Sequence, residues 1–93
     1  MKELINSLIK FYNELLEEIK KNEKSLLFIK ILDNKEIEKK ISILPYLQTT
    51  INQSLQLGNY RRAFRFIVFL DSIVRELPEI NKQISEKMTE LLV

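Results

Sequence analysis

The chain has no cysteine, no histidine and no tryptophan. The first absence excludes disulfides and thiolate chemistry, the second removes imidazole acid–base work, and together they take away the common soft-metal ligands. Most enzyme classes go with them, so the reading is of a non-enzyme, with no catalytic, cofactor-binding or metal-ligating residue assigned and no cofactor expected. One glycine, Gly58, and two prolines, Pro45 and Pro78, leave too little turn material for a sheet. A lone glycine also cannot form a loop whose backbone amides cradle phosphate. No apolar run approaches the roughly 18 residues of a membrane span, and the N-terminal stretch lacks the apolar core of a signal peptide. The expectation is a cytoplasmic protein with no membrane partner.

What is there is a chain of 93 residues in which Leu, Ile, Val and Phe number 36, enough to fold as a single domain over residues 1–93. A chain of this mass buries roughly 60 to 65% of its unfolded surface, which allows one core. Fifteen Lys and Arg against 13 Asp and Glu give a net charge of +2, too small for a general nucleic-acid coat. All four Arg fall between residues 61 and 76, and residues 41–60 carry no charge at all. Eleven Lys and eleven Glu with no Cys fit a thermophile, whereas seven Asn argue against strict thermal selection.

Apolar residues recur at three and four, which predicts helices throughout: an all-α, compact bundle of four or five. Ile5, Leu8, Tyr12, Leu15 and Ile19, widened by Leu4, Phe11 and Leu16, hold the stripe of a first helix over about residues 2–22, with Lys10 to Glu14 and Glu17 to Lys21 as i,i+4 pairs outside it. Ser25 can cap a short helix over Leu26 to Leu32, a run whose apolar character also suits a strand. Asp33 with Glu36 makes an acidic capping box opening a helix near residue 35, in which Ile37, Ile41, Leu44, Ile51 and Leu55 keep one phase across Pro45. That proline makes residues 35–57 either one kinked helix or two. Gly58 suits the left-handed position after a helix and Asn59 the N-cap of the next, which gives a tight helical hairpin. The helix from Tyr60 to Leu77 is apolar almost all round from Phe64 to Leu70, the mark of a central helix. Pro78 ends it and starts a last helix with the narrow stripe Ile80, Ile84, Met88 and Leu91, which predicts a loosely held tail.

Leu57-Gly58-Asn59-Tyr60, with Ala63 three residues on and Pro78 after the helix, resembles the junction between the two helices of a tetratricopeptide repeat, over some 20 residues and in a single copy. A glycine C-cap with an aromatic closing the turn is the purely structural reading of the same residues. In size, composition and helical character over its full length, the chain also resembles the small accessory subunit of the replicative B-family DNA polymerase holoenzyme of thermophilic crenarchaea. That resemblance implies a polymerase partner, proximity to DNA and no chemistry of its own; no motif carries it, so it transfers no functional residue.

Three features remain for function. At the chain's average of 30% charged residues, residues 41–60 should hold about six charges and hold none. Interface cores shed charge because desolvating an ion costs several kcal/mol, so the polar side opposite the apolar stripe, with Thr49, Asn52, Gln53 and Gln56, is a candidate partner surface. Burial of this helix on two sides is the alternative. Phe66 and Phe69 join the candidate surface, because a bundle this small cannot cover every side chain from Phe64 to Leu70; core packing is their alternative. Arg61, Arg65, Ser72 and Arg75 form a row about 21 Å long on one helix, flanked by Arg62. Arg61, Arg62 and Arg65, with no acid three or four residues on, are candidate phosphate contacts, whereas Asp71 and Arg75 are spaced to pair with each other.

The leading expectation is therefore a non-catalytic accessory subunit that binds and modulates a larger protein, a DNA polymerase first among candidates. The second is a small nucleic-acid-binding module using the Arg row, and the third a homodimer of a viral or archaeal helical protein.

Overall fold

Four helices of 13 residues or more and three shorter helical segments carry the chain, in a computed structural model that describes residues 2–93. In order they are α1 (Lys2–Lys21), α2 (Glu23–Leu26), a 3-10 segment (Ile29–Leu32), α3 (Lys35–Ser42), α4 (Leu44–Gln56), α5 (Tyr60–Val74) and α6 (Leu77–Leu92). The expected all-α fold is present, with no strand among the described residues, and it is drawn out to 55 × 20 × 16 Å.

The hairpin at Gly58 forms as the sequence predicts. Gly58 sits at φ 72°, its N–H donates to Leu55 O, and the Asn59 N–H reaches back to Ser54 O. This pair of bonds satisfies carbonyls that the end of α4 would otherwise leave bare, and it needs a residue without a Cβ at the left-handed position. Asn59 then caps α5 by accepting from the Arg62 N–H at 3.3 Å.

Elsewhere the boundaries move. Leu26 to Leu32 is not one helix capped by Ser25: α2 ends at Leu26 and a 3-10 segment follows. The tighter 3-10 winding aligns side chains three apart, which puts Ile29 in the core and Leu32 against it. The residue closing that segment is Asp33, held at φ 50°, so the cap of α3 passes to Asn34, whose side chain accepts from the Glu36 and Ile37 N–H groups. An acidic box on Asp33 is therefore replaced by an Asn cap one residue later. In α1, Lys21 pairs with Glu18 at 3.3 Å rather than with Glu17. Residues 35–57 are two helices, broken at Ile43, with Pro45 in the first turn of α4, where its missing N–H leaves no hydrogen bond unmade. Pro78 plays the same part: α5 stops at Val74, short of Leu77, and α6 begins Leu-Pro as α4 does. The leucine before each proline, Leu44 and Leu77, is buried.

One apolar cluster joins these elements: Tyr12 and Leu15 from α1, Ile29, then Leu44, Leu47 and Ile51 from α4, a full side of α5, and Leu77, Ile80 and Ile84 from α6. α4 and α5 pair antiparallel across Gly58. α1 lies along α5 in the same direction, its first turns beside Tyr60 and Phe64 and its last beside Pro78 at the start of α6. The 3-10 segment and α2 pack on α6. Beyond Met88 the last helix leaves the core: Leu91, which the spacing puts in the stripe, is exposed together with Leu92 and Val93, so the stripe ends one turn early. Leu4 and Phe11, assigned above to the stripe of α1, lie at its exposed edge.

Candidate interaction surface

α5 is central to the packing but is not buried all round. Ala63, Ile67, Leu70, Ile73 and Val74 face the core, whereas Phe64, Val68 and Phe69 are 57%, 51% and 49% exposed. With α1 on one flank of α5 and α4 on the other, its outward side is left as a ridge of Arg61, Arg65 and Val68 between two apolar grooves. The α1-side groove, about 600 Å³, is lined by Leu4, Ile5, Leu8, Phe11, Tyr60 and Phe64. The α4-side groove, about 780 Å³, brings Ile43, Tyr46 and Leu47 opposite Phe66 and Phe69, with the three arginines at its rim. Both are open troughs along a helix, unlike the enclosed cavities that bury small ligands.

The charge around the second groove is one-sided. Residues 41–70 hold no acidic side chain, and their only charges are Arg61, Arg62 and Arg65. Among the described residues none of the three makes an ion pair. Arg62 lies over the Phe66 ring, 5.7 Å from its centroid, where the positive guanidinium meets the negative ring face and covers part of its surface. The remainder of the Arg row is used within the helix: Arg75 Nε donates to Asp71 Oδ2 at 2.9 Å, and Ser72 Oγ donates to Phe69 O at 2.6 Å.

The charge-free stretch 41–60 divides by face. Leu44, Leu47, Thr50, Ile51 and Ser54 are buried, with Ser54 Oγ satisfied by donating to Thr50 O at 2.8 Å. Burial explains the lack of charge on that side only. Thr49, Gln53 and Gln56 are exposed on the outward face of α4, away from α1 and α5, with Thr49 Oγ1 donating to Pro45 O. Asn52, though exposed, is turned toward α1, where its Oδ1 accepts from the Tyr12 hydroxyl at 3.0 Å while Gln48 O lies at 3.3 Å as a second acceptor. The structure therefore brings Phe66 and Phe69 together with the arginines, sets Thr49, Gln53 and Gln56 on a separate polar face, and gives Asn52 an internal partner. Tyr46, 71% exposed, completes the α4 wall of the groove and was absent from the sequence-based site. Its signal was its position off the Leu44, Leu47, Ile51 stripe, which places an aromatic ring beside the core rather than in it.

Tyr12 titrates abnormally. Burial pushes its phenol above the ordinary 10.0, against the opposing effect of the Asn52 hydrogen bond. The native state thus holds the proton more tightly than the unfolded chain, so this group's contribution is fully present below pH 10 and is lost as pH rises toward the raised value. Tyr12→Phe should destabilise the protein by about 1 kcal/mol at neutral pH, and the gap from wild type should narrow at about pH 10.5. Urea midpoints at the two pH values measure this; a gap that does not change would show that the native phenol is not shielded.

Among the described residues no helix is long and apolar enough to cross a membrane, and no cluster of three His, Cys, Asp or Glu is placed to hold a metal ion. Fold and surface together define an all-α helical protein with an arginine-edged aromatic face. Comparison with known proteins finds no matching family model, no matching curated protein and no matching solved structure.

Proposed function

We propose that this chain is a non-catalytic accessory subunit that docks on a larger protein through the outward side of α5. The observation that carries the reading is the half-exposure of Phe64, Val68 and Phe69 on the helix whose other side is the core. Rings left in water on a rigid element, next to a second apolar groove, mark an interaction site more often than an ordinary surface. Covering the exposed half of one such side chain gains about 1 kcal/mol, half the value for full burial or a little more, so several must be covered together to offset the cost of association. The whole-chain resemblance makes the replicative DNA polymerase catalytic subunit the first partner to test. The two proteins mixed at about 10 μM, above the dissociation constant of a stable complex, should co-elute in size-exclusion chromatography. Separate elution removes the polymerase from the proposal.

A second reading, a nucleic-acid contact, is favoured by one observation, the three unpaired arginines. Three phosphate contacts would give a log-log salt slope of about −2.7 on duplex DNA. An Arg61→Ala, Arg62→Ala, Arg65→Ala variant that leaves the slope unchanged disposes of it.

A further inference from the structure

Resting on the docking reading, we infer that the groove between α4 and α5 receives an amphipathic helix of the partner that carries acidic residues beside its apolar anchors. Three features of this groove select that occupant. Its walls are helical ridges, Ile43, Tyr46 and Leu47 on one side and Phe66 and Phe69 on the other. From Arg61 to Phe69 the trough runs about 12 Å, the length over which anchors at i, i+4 and i+7 of an incoming helix repeat. On the opposite flank of α5 the protein already packs its own α1 in the same manner, so a helix laid along this flank extends a geometry the fold uses.

The charge of the rim sets the sign of the partner. Arg61, Arg62 and Arg65 surround one end of the trough, and no acid of residues 41–70 offsets them. Arg61 and Arg65 stand one turn apart, so carboxylates on successive turns of an incoming helix meet both, in the planar geometry that suits guanidinium. A phosphate backbone fits less well: Ile43 and Leu47 of the α4 wall neither stack on bases nor pair with phosphate. Three cations clustered at one rim also do not form the basic track that nucleic acid needs.

The test uses the full chain and a labelled alanine-based peptide of roughly 16 residues, long enough to be helical once bound. It carries Leu and Phe at i, i+4 and i+7 with Glu beside them, and is compared with the same peptide bearing Gln or Lys in place of Glu, and with an oligothymidine of the same length. By fluorescence anisotropy at about 50 mM salt, where surface charges are weakly screened, the Glu peptide should bind about tenfold tighter than the Gln peptide, and the Lys peptide weakest of the three. The Arg61→Ala, Arg62→Ala, Arg65→Ala variant should abolish the preference for Glu, while Tyr46→Gln should weaken the Glu and Gln peptides alike. Equal affinity for Glu and Gln peptides, no binding of any peptide, or oligothymidine displacing the Glu peptide would overturn the assignment. A polymerase complex that survives the arginine and Tyr46 variants but is lost on Phe64→Gln also overturns it, and leaves the docking reading standing. Peptide binding as expected with no co-elution leaves the groove assignment standing and removes the polymerase.

Discussion

Leu70→Ala is expected to lower the unfolding free energy by about 3 kcal/mol, the middle of the range for a buried leucine truncated to alanine. Leu70 is fully buried in the row Ala63, Ile67, Leu70, Val74, the side of α5 that meets the core. A domain of this size is stable by about 5–14 kcal/mol, so the loss is a large share of the total. With a midpoint shift of roughly 4–8 °C per kcal/mol in this size class, the melting temperature should fall by more than 10 °C. The molecule is only 16 Å through its thinnest dimension, so the vacated space has few layers above it and can partly collapse, which holds the effect below the upper end of the range. Two residues away, Val68 is half exposed, and Val68→Ala should change stability by no more than about 0.5 kcal/mol. Urea unfolding followed by far-UV circular dichroism separates the two. Equal midpoints for Leu70→Ala and Val68→Ala would mean that α5 does not turn this face inward.

That contrast within one helix also marks the limit of what the chain shows before it is folded. The hairpin was legible because Gly58 and Asn59 each have one local use at adjacent positions, and those uses agree. The break at Ile43 was legible only as one of two outcomes, a kink or a split at Pro45, because proline in the first turn of a helix disturbs neither the hydrogen bonds nor the spacing of Ile41, Leu44 and Ile51. Asp33 and Asn34 can both cap a helix; the 3-10 turn before them, seated on α6, takes Asp33 into the left-handed region and leaves the cap to Asn34. The outward side of α5 was hidden for a different reason. From Phe64 to Leu70 apolar residues fill the circumference apart from Arg65, so periodicity no longer separates inside from outside, and only the placement of α1 and α4 on its flanks decides which rings meet water. The same placement divides the uncharged residues of α4 into a buried set and a solvent set, and so separates Thr49, Gln53 and Gln56 from the aromatic groove with which the sequence groups them.

A Phe64→Gln, Phe69→Gln double variant should keep the fold and lose the partner. Both rings are about half exposed and neither belongs to the buried cluster, so the double change should alter the unfolding free energy by no more than about 1 kcal/mol. Glutamine is a good helix former and carries no charge, so α5 is not weakened and the arginine rim is left as it is. At an interface the same rings are worth far more, because each would pass from water into a dry contact. Two aromatic anchors at about 2 kcal/mol apiece give a loss near 4 kcal/mol, roughly a thousandfold in affinity. The pairing of outcomes gives the prediction its force, since a core residue would lose stability and binding together whereas an ordinary surface residue would lose neither. Calorimetric titration of the variant against the co-eluting partner, beside its urea midpoint, measures both quantities. A midpoint drop of several kcal/mol would place the rings in the core, and an unchanged dissociation constant would move the docking surface off α5 altogether.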